Sequence, residues 1–344
     1  MIVVLKKGAA EKDVKQFVDK VKEKGLGVHI SKGVDKTIIG LLGDTSKLDP
    51  EDFLASDIVE SAERVSAPYK MASRAFHPNN TVVTVGSNQD GVIPCVIGDG
   101  KSVPLIAGPC SVENEQQIMD AAKAVKEGGA RILRGGAYKP RTSPYSFQGL
   151  GKEGLELLSK VKKATGLPVC TELMAISELE YFGDVDLIQI GARNFQNFDL
   201  LKELGRCNKP VLLKRGLSGT ITELLMSAEY IMANGNENVI LCERGIRTYD
   251  NYTRNCLDLS AVAYLHKVSH LPVIVDPSHA CGIRWMVPIL SQAAVAAGSD
   301  GLEIEVHCNP EKALSDASQQ LTPLQFREMT DKLSKYAAVE GKTI

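Results

Sequence analysis

The sequence predicts an α/β chain in which a (β/α)8 TIM barrel follows a small ferredoxin-like βαββαβ domain. Three observations carry that prediction. From Val103 onward, short apolar runs recur eight times with room for a helix in the intervals. Eight such units in about 240 residues match the ~250 usual for this barrel. Nearly every run ends, at its C-terminal side, in a side chain capable of chemistry, and that side is the catalytic face of such barrels. A doubly wound open sheet is the alternative, but no GxGxxG opens a helix to support one.

The 344 residues are long for one domain and short for three. Hydrophobic content of 44% and charged content of 24% fit a globular protein with a real core. A formal net charge of -2 argues against a general nucleic-acid or anionic-membrane binder, so the basic residues must matter locally. No apolar run approaches spanning length, and MIVVLKKG lacks secretory-signal architecture. The eight cysteines form no CxxC pair, and Cys170 and Cys242 sit in apolar runs where a thiol acts as a small core residue. A reducing cytoplasm is the expected setting.

Taken in order, residues 1–66 read as the small alternating domain. IVVLK is a strand, and residues 10–24 place Val14, Phe17, Val18 and Val21 at helical spacing. LGVHIS (26–31) and TIIGLLG (37–43) are strands joined at a Gly33 turn. A short helix over 48–54 and a strand over 58–65 complete the plan. Residues 67–98 form a linker and then a hairpin, 81–86 with 92–98, placed to plug one end of the barrel.

The barrel occupies 99–344. Its strands are expected at 104–108, 131–135, 168–173, 187–191, 210–216, 239–245, 272–279 and 301–307. The interval 174–186 is tight for a helix, whereas 116–126 carries Ile118, Ala121, Ala122 and Val125 on one side.

The strand ends supply Cys110, Arg134, Glu172, Arg193, Lys214, Arg244, His279 and Glu305, with Asp316 soon after the last strand. Cys110, His279, Glu305 and Asp316 offer one sulfur, one nitrogen and carboxylate oxygens, a set that suits Mn, Fe, Co, Zn or a similar divalent ion. Taken singly, Cys110 is more often a buried thiol and His279 a core or capping histidine. The set outweighs those readings only where a barrel brings it together.

The cations Arg134, Lys139, Arg141, Arg193, Lys214 and Arg244 form a second constellation, one that would repel itself unless anionic groups bind between them. Three of them sit in the loop RGGAYKPRTSPYSFQGLG (134–151), whose glycines and prolines forbid a helix. Strand alternation turns Leu212 and Lys214 to one face, into the barrel. A buried lysine of this kind could form a Schiff base, as in imine-forming aldolases, though its arginine neighbours make a phosphate contact more economical.

The segments AGPCS (107–111), 134–151, QIGARN (189–194), KRG (214–216), ERGIRT (243–248), DPSH (276–279) and EVH (305–307) resemble the type I 3-deoxy-D-arabino-heptulosonate-7-phosphate (DAHP) synthases. The short form with an N-terminal ferredoxin-like regulatory domain is the closest in pattern, and the resemblance spans essentially the whole chain. Its most discriminating motif is Lys139-Pro140-Arg141-Thr142-Ser143, because the sister octulosonate-phosphate synthases carry a KANR-type segment there.

The resemblance implies condensation of phosphoenolpyruvate with erythrose 4-phosphate, the first step of the shikimate pathway. It implies that Arg134 and Lys139 hold the phosphoenolpyruvate carboxylate. Arg193, Lys214, Arg244 and the Ala192 backbone would hold its phosphate, and Arg141, Thr142 and Ser143 the erythrose phosphate group. Cys110, His279, Glu305 and Asp316 match the family's metal ligands, and Lys139, Lys214, Cys110 and His279 the catalytic positions. It further implies a homotetramer and inhibition by tyrosine or phenylalanine, with His29 and Ser31 matching the effector segment. From another class, a catalytically silent amino-acid sensor on the same barrel would be expected to have lost the metal and phosphate positions, and all are present.

Two departures stand out. Glu303 falls where an apolar strand residue is expected, on the same alternating face as Glu305, and needs an interior cation to pair with. The run 280–285 after His279 replaces the usual small, glycine-rich continuation, and its Cys281 raises the hypothesis of an oxidative disulfide with Cys110.

Overall fold

The computed structural model describes residues 1–33, 36–45, 48–64, 68–88, 91–141 and 143–344. It divides into two compact units, residues 1–80 with 267–270, and residues 81–266 with 271–344.

The first unit contains β1 (Ile2–Leu5), α1 (Glu11–Glu23), β2 (Gly27–Lys32), β3 (Thr37–Leu42), α2 (Glu51–Leu54) and β4 (Val59–Glu63). The strands form an antiparallel sheet in the order β2-β3-β1-β4, the ferredoxin-like plan read from the sequence. The apolar stripe of α1 buries Phe17, Val18 and Val21 in a core shared with Val3, Leu5, Ile39 and Leu41. No side chain caps that helix, but Glu11 and Asp13 at its start and Lys20 and Lys22 at its end oppose the helix dipole. The turn joining β2 and β3 closes with the Gly33 N–H on the Lys36 carbonyl, while residues 34–35 lie outside the described residues.

Residues 68–80 cluster with this unit rather than standing apart as a spacer. Phe76 is fully buried, and its ring occupies the space beside Gly40, where a Cβ would come within 1.4 Å of it. His29 on the edge strand β2 stacks on the same ring at 5.0 Å, and Ser31 two residues on is buried.

The second unit is the predicted barrel. Eight parallel strands close it: β7 (Leu105–Gly108), β8 (Ile132–Arg134), β9 (Val169–Glu172), β10 (Leu187–Ile190), β11 (Val211–Lys214), β12 (Val239–Glu243), β13 (Val273–Val275) and β14 (Leu302–Glu305). Registers such as Glu305 with Gly108 and Lys214 with Cys242 align the strand ends that carry the chemistry. Before them, β5 (Val83–Val85) and β6 (Cys95–Ile97) form the expected antiparallel hairpin. Its inward residues Val83, Val85, Cys95 and Ile97 join Ile106, Ile132, Leu212, Ile240 and Ile274 in one core. The hairpin glycines Gly86 and Gly98 abut Pro168 and Pro272, just before β9 and β13, so the plug fills the N-terminal mouth. The opposite mouth is left for function.

Two details differ from the sequence expectation. The tight interval 174–186 holds a single 3-10 segment, Ile176–Tyr181, because its residues cannot complete a longer helix between β9 and β10. The run 272–279 is a strand only to Val275. Asp276 then caps a five-residue helix, Pro277–Cys281, accepting the His279 backbone N–H at 2.9 Å with Pro277 preorganising the first turn. His279 therefore projects from a helical turn rather than from a strand end.

Candidate active site

Backbone geometry builds the site before any side chain enters it. The loop after β8 doubles back on itself through an antiparallel bridge between Tyr138 and Gly149, with the Lys139 N–H on the Gln148 carbonyl at 2.9 Å. Two glycines make this fold possible. At Gly136 a Cβ would meet the Cys110 carbonyl at 2.7 Å and the Lys139 side chain at 2.8 Å. At Gly149, with φ +91, it would meet the Ala137 carbonyl at 2.2 Å. The loop thereby turns Lys139 inward, where its Nζ donates to the Cys110 carbonyl at 2.9 Å.

The C-terminal mouth holds a cleft of ≈ 320 Å³. Lys139, Arg141, Ser143, Glu172, Ala192, Arg193, Lys214, Arg244, His279 and Asp316 all line it. Arg134, Cys110 and Glu305 lie buried and outside that lining. Thr142 lies outside the described residues.

Two guanidinium nitrogens in the cleft walls, Nη2 of Arg141 and Nη1 of Arg244, are buried without a hydrogen-bond partner. Burial also presses the Arg244 guanidinium below its ordinary range. Such groups are costly unless an anion completes them. Glu172, at the same wall, accepts a 3.3 Å bond from the Gln189 amide.

The four proposed metal ligands converge. Cys110 Sγ lies 3.6 Å from Asp316 Oδ2, and His279 Nε2 lies 3.3 Å from Glu305 Oε1 and 3.8 Å from Asp316 Oδ2. Donor atoms of Cys110, Glu305 and Asp316 all fall within 4.8 Å of one another. Burial, reinforced by the Glu305 charge, pushes the Cys110 thiol up to about 12. A thiol, an imidazole and two carboxylates so arranged fit a divalent cation, which would reverse that shift by drawing the thiolate out. Asp316 is also the one non-glycine residue with positive φ among the described residues, a strained backbone of the kind held at functional sites.

Around these ligands runs a set of partners that the sequence did not reveal. Asp276 Oδ2 accepts from His279 Nδ1 at 2.7 Å, which leaves Nε2 to face the carboxylates, and from Lys214 Nζ at 2.6 Å. Burial alone would raise Asp276, but His279 and Lys214 hold it well below the usual carboxylate range. Lys214 also lies 2.9 Å from Glu303, so the expected interior pairing of that carboxylate is present, and Arg134 Nε stands 3.5 Å from its other oxygen. Gln319 donates to Glu305 at 2.6 Å, and Arg254 donates to Asp316 at 3.3 Å and to Gln319 at 3.1 Å. No short-range pattern marks Gln319 or Arg254, whereas Asp-Pro three residues before His279 is a legible cap.

Fold and site together define a barrel enzyme with a cationic cleft beside a donor cluster that could hold a divalent metal. Residues 80–339 match the DAHP synthetase I family and residues 1–67 the DAHP synthase ferredoxin-like domain. A phospho-2-dehydro-3-deoxyheptonate aldolase of Thermotoga maritima is 50% identical over 99% of both chains. The crystal structure of that organism's enzyme superposes with a TM-score of 0.77 at 49% identity, covering 99% of this chain and 98% of that one. A 2-dehydro-3-deoxyphosphooctonate aldolase of Syntrophotalea carbinolica is 32% identical over 73% of this chain and 97% of its own. The chain belongs to the DAHP synthetase I family.

Proposed function

We propose that the C-terminal mouth condenses phosphoenolpyruvate with erythrose 4-phosphate to DAHP and inorganic phosphate. The observation that carries this reading is the unpartnered Arg141 and Arg244 nitrogens facing one cleft beside the Cys110, His279, Glu305 and Asp316 cluster. Cleft cations on two walls call for two anionic substrates. Lys139 meets the phosphoenolpyruvate carboxylate from the lining, with Arg134 behind it on the same Cys110 carbonyl. Arg193, Lys214, Arg244 and the Ala192 backbone take the phosphate, and Arg141, Thr142 and Ser143 the erythrose phosphate group.

Cys110, His279, Glu305 and Asp316 would hold a divalent ion such as Mn, Fe, Co or Zn, which would supply Lewis-acid polarisation of the aldehyde oxygen. The chain's own cations fix phosphoenolpyruvate so that C3 faces the aldehyde carbon, and the C–C bond forms there. Water adds at C2, and the resulting hemiketal phosphate breaks its C2–O bond. Phosphate leaves with that oxygen, and the added hydroxyl loses its proton to become the C2 ketone. Of the two candidates on the lining, Glu172 is the group able to accept the water's proton, whereas Lys214, held as an ammonium between Asp276 and Glu303, can only donate one.

The N-terminal unit serves regulation by tyrosine or phenylalanine, through His29 and Ser31 on the edge strand, in a cytoplasmic homotetramer. Its support is the family match of residues 1–67. No helix among the described residues is long and apolar enough to cross a membrane.

A test follows phosphoenolpyruvate consumption with erythrose 4-phosphate, with and without EDTA. Turnover lost to chelation and restored by a divalent metal is expected. Preference for arabinose 5-phosphate would move the chain to the octulosonate class, and chelator-insensitive turnover with borohydride trapping of Lys214 would support an imine mechanism instead.

A further inference from the structure

Six side chains close a ring of alternating acidic and basic groups at the floor of the cleft. His279 Nδ1 meets Asp276 at 2.7 Å, Asp276 meets Lys214 at 2.6 Å, and Lys214 meets Glu303 at 2.9 Å. Glu303 faces Arg134 at 3.5 Å, Arg134 reaches Glu305 at 2.5 Å, and Glu305 returns to His279 Nε2 at 3.3 Å. Two members, His279 and Glu305, belong to the proposed metal cluster, two, Lys214 and Arg134, are the cations assigned to phosphoenolpyruvate, and Asp276 and Glu303 join the two pairs.

Glu303 is the member that strand chemistry does not predict. It lies on the inner face of β14, fully buried, where an apolar residue would complete the interior layer. Neither of its oxygens is well aligned for a hydrogen bond, so its contribution is charge at a fixed place. Without it, Asp276 would be the one carboxylate left against Lys214 and Glu305 the one left against Arg134, which also keeps the Cys110 carbonyl. Both carboxylates lie on the metal side, so both cations would be drawn that way.

We propose that Glu303 is a positioning residue that holds Lys214 and Arg134 in register with phosphoenolpyruvate by countering the pull of Asp276 and Glu305. This rests on the assignment of those two cations to phosphoenolpyruvate. Two effects of removing Glu303 oppose each other. The cleft becomes more positive, which favours any anion, while Lys214 loses its placement at the lining and Arg134 its placement behind Lys139. In a buried site made of rigid pairs, displacement of the partner atoms outweighs a diffuse gain in potential.

The test uses the metal-loaded full-length enzyme and its variants E303Q, which keeps shape and loses charge, and E303D, which keeps charge and loses reach. The expected result for both is a phosphoenolpyruvate KM raised about tenfold, with kcat and the erythrose 4-phosphate KM within about twofold of wild type. Calorimetric binding of phosphoenolpyruvate alone should weaken in parallel. An unchanged or lowered phosphoenolpyruvate KM in E303D overturns the proposal, even if E303Q cannot be purified, because charge alone would then suffice. A fall in melting temperature without a KM change assigns Glu303 to stability and overturns it too. An active wild type with unmoved variants removes only the role of Glu303, whereas an inactive wild type removes the functional reading with it.

Discussion

At the scale of single residues, the site is governed by who holds the donor atoms still. Asp276 is the pivot, because one oxygen serves both His279 Nδ1 and Lys214 Nζ. An outer carboxylate of this kind sets the imidazole tautomer and raises its basicity toward a metal. Asn at that position would present an NH2 where an acceptor is needed by two donors. The D276N variant is therefore expected to bind its divalent ion about 10–100-fold more weakly, measured by competition with a fluorescent chelator. Metal affinity equal to wild type would show that Asp276 serves Lys214 alone. The four candidate ligands could be picked from the sequence because a barrel gathers the segments that follow its strands at one face. Glu305 ends β14, and Cys110, His279 and Asp316 stand on the stretches after β7, β13 and β14. Arg254, Gln319 and the double duty of Asp276 were not, since their contacts join segments far apart in the chain, as Arg254 does with Asp316 across 62 residues.

At the scale of elements, alternation along a strand divides labour between neighbours. Lys214 turns into the barrel, while Arg215 turns outward and ties β11 to β12 through Glu243 at 2.8 Å and to Asp258 at 3.0 Å. Glu243 in turn accepts the Gly245 N–H at 2.7 Å, which fixes the exit that carries Arg244. The motifs KRG and ERG are thus one inward cation and one outward brace each, a reading that period-two patterning supports but whose partners it does not name. The strand positions were legible because eight apolar runs are hard to place otherwise. The 277–281 helix was not, because a proline after an apolar run reads equally well as a strand end. The loop over 134–151 depends on close backbone approach at Gly149. A G149A variant, strained by positive φ and by the 2.2 Å approach, is expected to lose about 1–3 kcal/mol of stability. Its KM for erythrose 4-phosphate should rise, whereas G183A, with open space around its Cβ, should leave kinetics and melting unchanged. Wild-type kinetics in G149A would mean that the loop does not set that substrate's site.

At the scale of the whole molecule, the two units have separate cores, one built on Val3, Leu5, Ile39 and Leu41 and the other on the barrel interior. Every residue of the cleft, its metal cluster and its supporting ring belongs to the second unit. The site is therefore confined to the second unit, and the proposed effector residues His29 and Ser31 lie in the first. A chain of residues 81–344 retains the hairpin whose Val83, Val85, Cys95 and Ile97 fill the N-terminal mouth, so its core stays closed. It is expected to keep kcat within about threefold of the full chain, since no group that meets substrate is removed. Inhibition by tyrosine or phenylalanine should vanish if the proposed effector residues His29 and Ser31, which leave with residues 1–80, carry it. The measurement is initial rate against effector concentration for both proteins under the same metal loading. A truncated barrel still inhibited by either amino acid would put the effector site in the barrel, and a full-length enzyme insensitive to both would remove the regulatory reading while leaving the catalytic one intact.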